Sequence, residues 1–342
     1  MSKFRTFVRT IILNLIHNTC SFRAYQKIHY QKVTIKISPT QFATTAFISW
    51  LIKRNSDELD SKTKIVAENQ ITQSIQQAEE FIHNGKLKEA KILLDNAIKL
   101  ADENEAYENV SSLCDLLASI ILSEGDFYEA ENVLVKFIER LLQLGYPETH
   151  NSIVTFKLKL ARIYQLLGSL EMSEYGFRDC IRVQEKKLEG QKQIDEESNA
   201  IYITALFWYG KLLADQQDFK RARKQYTKCW ERILKTTNIL PSQKMVVLHN
   251  IANVSAKLND FDAALHYLYS AIEICLVEDP DNTDLPIFIV QVGLIFLQKE
   301  IYESALFWCQ TGHELASHEG NEIAKKEGLK CLDELRKLKI LT

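Results

Sequence analysis

The chain has 342 residues, 25% of them charged and 46% hydrophobic, with only 11 Gly and 5 Pro. Gly plus Pro is under 5%, where ordinary usage gives about 12%, which excludes collagen, a flexible linker protein and a turn-rich β-sandwich. The net charge of −3 hides an asymmetry: nine Lys/Arg and no acid precede Asp57, leaving 33 basic and 45 acidic residues after it, a net of −12. A body that acidic excludes general nucleic-acid binding, because each phosphate contact needs a cation.

The basic character belongs to a leader. On a helix over residues 3–18, Phe4, Phe7, Val8, Ile11, Ile12, Leu15 and Ile16 share one half of the wheel, with Arg5 and Arg9 at its edge. An Arg-bearing amphipathic helix without acids reads as a mitochondrial transit peptide over 1–25. A secretory signal is the alternative, but its apolar run, Ile11 to Ile16, is short and is interrupted by Asn14. Arg23 and Tyr25 resemble the Arg-x-Tyr site of the matrix processing peptidase, with cleavage after Tyr25.

Residues 26–59 form a spacer holding one apolar stretch, Phe42 to Ile52, followed by Lys53 and Arg54. Eleven helical residues cover roughly 17 Å, short of a hydrocarbon core of about 30 Å. The stretch is therefore expected to associate with a membrane, as an interfacial anchor with Trp50 and the two cations at headgroup level, or as a span if the flanks snorkel.

From residue 60 the chain repeats itself. A corner residue, an aromatic or Leu two positions on and a small residue three further recur six times, with corners at Gly85, Gly125, Gly168, Gln217, Asn259 and Glu300. The spacings are 40, 43, 49, 42 and 41 residues. Seven residues before each corner stands Ala78, Ala118, Ala161, Gly210, Ala252 or Gly293. Twelve after it stands Ala97, Phe137, Cys180, Cys229, Ala271 or Gly312, small in five copies. Small residues at those intervals let two antiparallel helices approach closely. Pro147, Pro241, Pro280 and Pro286 fall between copies, where a helix should stop; the connection 189–199 accounts for the longest spacing.

This pattern resembles the tetratricopeptide (TPR) repeat over residues 71–318, with the long period seen in kinesin light chains. The resemblance implies an all-α, right-handed TPR solenoid of about six helix pairs, near 71–104, 111–146, 154–194, 203–237, 245–278 and 286–318. The array is bounded at about 60–320 and closed by a capping helix and tail over 321–342, because the last repeat would otherwise expose its apolar face.

Catalytic chemistry is missing from the sequence. No two of the seven cysteines are closer than 22 residues, so there is no CxxC metal pair, and the spacing predicts neither metal nor disulfide. Cys114, Cys180, Cys229 and Cys309 read as small core hydrophobes of a reducing compartment. His313 and His318 are five apart, which puts them on different helix faces and not on the shared face of a zincin. No phosphate-cradling Gly-rich loop and no serine elbow is present. The expectation is a non-enzyme with no cofactor.

A TPR array binds with the groove lined by the first helix of each pair. Counting back from the corners, that face offers Arg162, Lys211, His249, Asn250 and Asn253, residues able to hydrogen-bond a peptide backbone or carboxylates. The Lys/Asn clamp of tail-binding cochaperones is absent, since Ile75, Glu79, Asp115 and Ser119 occupy its positions.

Gly85–Ala101, Leu158–Gly168 and Tyr175–Ile181 together resemble the mitochondrial tetratricopeptide repeat protein 19 family. That resemblance implies a protein of the mitochondrial inner membrane, matrix side, that attaches to respiratory complex III and clears leftover fragments of its Rieske iron–sulfur subunit. It brings no catalytic residues. The alternative is a cytosolic cargo adaptor like the kinesin light chains, which would keep residues 1–56 attached.

Overall fold

The computed structural model describes residues 58–104, 110–189 and 195–338. The transit peptide, the 42–52 stretch, Arg23 and Tyr25 lie outside the described residues, as does the middle of the 189–199 connection. Among the described residues there are thirteen α-helices and no strand. They are α1 (Glu58–His83), α2 (Leu87–Glu103), α3 (Val110–Ser123), α4 (Phe127–Gln143), α5 (Asn151–Leu166), α6 (Leu170–Leu188) and α7 (Glu196–Asp215). There follow α8 (Phe219–Ile233), α9 (Pro241–Lys257), α10 (Phe261–Val277), α11 (Leu285–Gln298), α12 (Tyr302–Glu319) and α13 (Glu322–Lys337). Pro241 and Pro286 sit in the first turns of α9 and α11, where a missing N–H costs no hydrogen bond.

The six corners are six copies of one backbone device. Gly85, Gly125, Gly168, Gln217, Asn259 and Glu300 all have positive φ, between 58° and 81°. At each, the next N–H donates to the carbonyl five residues back: Lys86 to Phe81 (2.8 Å), Asp126 to Ile121 (3.2 Å), Ser169 to Tyr164 (2.8 Å), Asp218 to Leu213 (2.9 Å), Asp260 to Ser255 (2.9 Å) and Ile301 to Phe296 (2.9 Å). This is the Schellman closure, which satisfies carbonyls that a helix end leaves open. Three copies then start the next helix with an Asp whose carboxylate accepts the N–H of Glu129, Arg221 or Ala263.

The small residues set how close the paired helices come. Ala78, Ala118, Ala161 and Ala252 are buried, and a Cβ built on Gly210 would lie 2.7 Å from the Tyr226 ring. One on Gly293 would lie 2.8 Å from the Cys309 backbone nitrogen, and one on Gly312 2.9 Å from that of Val290. The register is the same one repeat apart: the Cys180 thiol reaches the Val154 carbonyl at 3.6 Å and the Cys229 thiol that of Ile203 at 3.5 Å. Burial pushes both thiols up to about 12, so they serve as packing groups and not as nucleophiles.

The chain divides into two compact units, one ending at Ile201 and one running from Tyr202 to the C-terminus. The first has a core built on Ile71, Ala90, Leu94, Leu113, Leu134, Ile153 and Ile163. The second is built on Leu248, Leu268, Ile272, Leu285, Ile289, Trp308 and Leu315, with a smaller cluster beneath α13.

The cysteine expectation is overturned at one pair. Cys309 and Cys331 are joined in a disulfide, with Cα atoms 6.1 Å apart and 22 residues of separation. The separation is no motif, but the two cysteines lie symmetrically about Gly320, the left-handed corner between α12 and α13, so an antiparallel hairpin sets them face to face. Nine residues past the earlier corners stand Leu94, Leu134, Phe177, Tyr226 and Leu268, all fully buried; Cys309 takes that place in the repeat that receives the cap. Cys114, Cys180, Cys229 and Cys275 are buried thiols outside any disulfide.

Glu300→Gly is expected to raise stability by about 1 kcal/mol in urea unfolding, by relieving an L-residue in the left-handed region. Gly293→Ala should lower it by about 1–3 kcal/mol, since the colliding atoms are the disulfide-bonded sulfur of Cys309 and its backbone nitrogen, neither free to move aside. Opening the Cys309–Cys331 bridge with a reductant, or replacing Cys331 with Ala, should loosen α13 by about 3 kcal/mol, the loop-closure estimate for such a span. Amide exchange confined to α13 reads that loss.

Candidate partner groove

The five predicted residues lie on first helices of their hairpins, in two groups. In the unit ending at Ile201, Arg162 is on α5, half-buried between the core residues Ala161 and Ile163. In the unit from Tyr202, Lys211 is half-buried on α7, and His249, Asn250 and Asn253 share one face of α9, whose other face buries Met245, Leu248, Ile251 and Ala252. Lys211 and Asn253 occupy the same place, six residues before their corners, on successive first helices.

The α9 face is wired locally. Asn250 donates its amide to the Val246 carbonyl at 2.8 Å, bonding its own helix. Asn253 Nδ2 lies 3.2 Å from His249 Nε2. An amide N–H only donates, so Nε2 accepts and the imidazole proton sits on Nδ1. The ring packs edge-on against Phe288 with centroids 5.6 Å apart and lies beside Gln291, so His249 joins α9 to α11. Burial, the largest cause, pushes its pKa below the ordinary 6.5; Gln291 and the charges of Asp284 and Glu327 pull less strongly upward. The face therefore presents a neutral imidazole, two amides and one lysine, a set suited to polar main chain and to a carboxylate.

Sequence reasoning missed Phe288 and Gln291, whose roles depend on a neighbouring repeat. It also missed a polar hub at the start of α5. Asn151 Oδ1 accepts from Gln184 (3.3 Å), Lys187 (2.5 Å) and Ser198 (3.0 Å), while its Nδ2 donates to Glu197 (2.8 Å) and Asp195 (3.3 Å). Gln184 and Ser198 are buried, so the hub fastens both ends of the long connection to α5. Among the described residues no group of three or more His, Cys, Asp or Glu is placed to hold a metal, His313 and His318 included. No helix among them is long and apolar enough to cross a membrane.

A tetratricopeptide-repeat family model matches residues 245–276, the α9–α10 hairpin with His249, Asn250 and Asn253 on it. Residues 245–276 are thus a tetratricopeptide repeat, and the described helices have the fold of a tetratricopeptide-repeat solenoid. It is 23% identical over 269 residues to the tetratricopeptide repeat protein 19 homolog, mitochondrial, of Drosophila melanogaster, covering 79% of this chain and 72% of that one. It is 25% identical over 285 residues to tetratricopeptide repeat protein 19, mitochondrial, of Mus musculus, covering 81% and 78%. Among solved structures, BtubC from P. vanneervenii superposes with a TM-score of 0.53 at 14% identity, over 75% of this chain and 92% of that one. The tetratricopeptide repeat sensor of a signal-transduction ATPase from Pyrococcus horikoshii gives 0.55 at 14% identity, over 83% and 44%. These structures share the fold of the repeat protein.

His249 sets a pH prediction. The unfolded chain takes up its proton near the ordinary pKa of 6.5, while the folded imidazole stays neutral to lower pH. The unfolded state then binds more protons, so stability is complete above about pH 6.5 and falls as the pH drops towards the folded-state value. His266, also lowered by burial, adds to the same slope. Urea unfolding at about pH 7.5 and about pH 5.5 should show His249→Gln flattening part of that fall and the double variant with His266→Gln flattening more.

Proposed function

We propose that this chain is a mitochondrial scaffold without catalysis of its own, held at the inner membrane on its matrix side, where it supports assembly and maintenance of respiratory complex III. The observation that carries the reading is the match to mitochondrial tetratricopeptide repeat protein 19 over about four fifths of this chain. The cationic, acid-free leader supports import, and Arg23 and Tyr25 mark the processing site. Complex III and its Rieske subunit come from the family resemblance, and the groove from the polar residues on α7 and α9, with Arg162 on α5 a separate candidate in the unit ending at Ile201. In this reading Arg162, Lys211, Asn250 and Asn253 grip extended segments of complex III subunits, and the scaffold helps expel Rieske fragments. A matrix position requires the Cys309–Cys331 bridge to outlast a reducing pool. Its burial favours that, because a thiolate reaches neither sulfur until the cap lifts.

N-terminal sequencing of the protein from purified mitochondria should begin at Gln26. In mitochondria lacking the protein, complex III activity should fall and Rieske fragments accumulate, with the unchanged chain restoring both. A Lys211→Glu, Asn253→Ala chain should import normally yet bind complex III about tenfold or more weakly, since one hydrogen bond and one ion pair are lost. Full-length protein starting at Met1 in the cytosol, with normal Rieske fragment levels after its loss, would refute the reading.

A further inference from the structure

The charge of the body is not evenly spread. Helix α8 carries Lys220, Arg221, Arg223, Lys224, Lys228 and Arg232 against one acid, Glu231, and Lys235 follows it directly. Among the described residues no other helix has such an excess of cations. Its inner face is conventional: Ala222, Tyr226, Cys229 and Ile233 are buried. At 100° per residue, Lys220, Lys224 and Lys228 fall within an arc of about 80° on the opposite face.

The arginines and lysines have different occupations. Arg221 pairs with Asp218 at 2.6 Å and Arg223 with Asp260 at 2.8 Å, so both are engaged at the corners of the repeat. Lys220, Lys224 and Lys235 are exposed. At the same end of α8 two leucines stand in water, Leu234 at 51% and Leu240 at 61% exposure. A fork-shaped guanidinium suits one carboxylate; an ammonium on a flexible stem suits a diffuse field of phosphates. Flexible cations beside exposed leucines have the composition of an interfacial anchor, in which stems and apolar side chains enter the headgroup boundary.

We infer that the outer face of α8, with Lys235, Leu234 and Leu240, is a docking strip for a bilayer containing anionic phospholipid. Charge complementarity makes the strip orienting as well as attractive. The remainder of the acidic body is repelled by the same surface, so one edge of the second unit faces the lipid. The inference concerns α8 alone and does not rest on the complex III reading.

Lysine acetylation footprinting of the full chain tests it, with vesicles of phosphatidylcholine alone or mixed with phosphatidylglycerol. On the anionic vesicles, labelling of Lys220, Lys224 and Lys235 should slow, while that of the exposed Lys257 and Lys326 should not, and high salt should restore it. Replacing all three lysines with Gln should weaken anionic-vesicle binding by up to about a hundredfold, about fivefold for each. Anchoring through the basic leader alone would leave the three lysines labelling at their free rate, and that result overturns the strip. Protection by polyglutamate and not by anionic vesicles overturns it as well, in favour of an acidic protein partner.

Discussion

Every hairpin depends on a backbone that reverses in one residue. The left-handed corner closes one helix by the Schellman bond and aims the next one back along it, and in every copy but the second, which has Phe137, nothing larger than a methyl or thiol stands at the two contact positions between the backbones. Corner and small residues are thus two halves of one constraint. At Gln217, Asn259 and Glu300 the chain accepts a strained L-residue to keep the corner. At Gly210, Gly293 and Gly312 it gives up a side chain to keep the approach.

The last hairpin shows the same geometry put to another use. Its first helix, α12, receives the cap and not another repeat, and the position that elsewhere holds Leu, Phe or Tyr holds Cys309. A large apolar side chain gains its stability from neighbours on both sides, which the end of an array lacks. A covalent bridge to Cys331 needs a neighbour on one side only. Noncovalent ties act alongside it: Asn321 accepts the Ala324 N–H at 3.0 Å and donates to the Thr283 carbonyl at 2.8 Å, and His313 meets the Lys325 carbonyl at 2.9 Å.

Charge divides the surface by task. Lys91 with Glu129 and Lys299 with Asp262 link successive repeats, and Lys244 with Glu278 links the two arms of one hairpin. They are partly exposed and each contributes little to stability, but their placement leaves the α9 face with amides and a neutral imidazole and concentrates cations on α8. The polar residues proposed for a partner and those that pair repeats are then distinct sets.

The hairpins were legible in the sequence because their causes are local. A corner, a small residue seven before it and another twelve after it fall within one supersecondary unit, and six copies in register leave few other folds. The proposed groove was legible only as positions: counting placed His249, Asn250 and Asn253 on one face of α9 and Lys211 at the matching place on α7, but that Asn250 is bonded to its own helix and that His249 leans on Phe288 needed the neighbouring turn and repeat in place. The Cys309–Cys331 pair was hidden as a spacing and obvious as a reflection about Gly320. The Asn151 hub had no sequence signal, because its partners come from two other helices and the residue before one of them, up to 47 residues away. Periodicity along the chain determined the helices, their corners and their close approach; contacts between residues distant in sequence decided which polar groups are spent inside the protein and which remain for a partner, since a side chain's free hydrogen-bonding capacity depends on what the fold brings beside it.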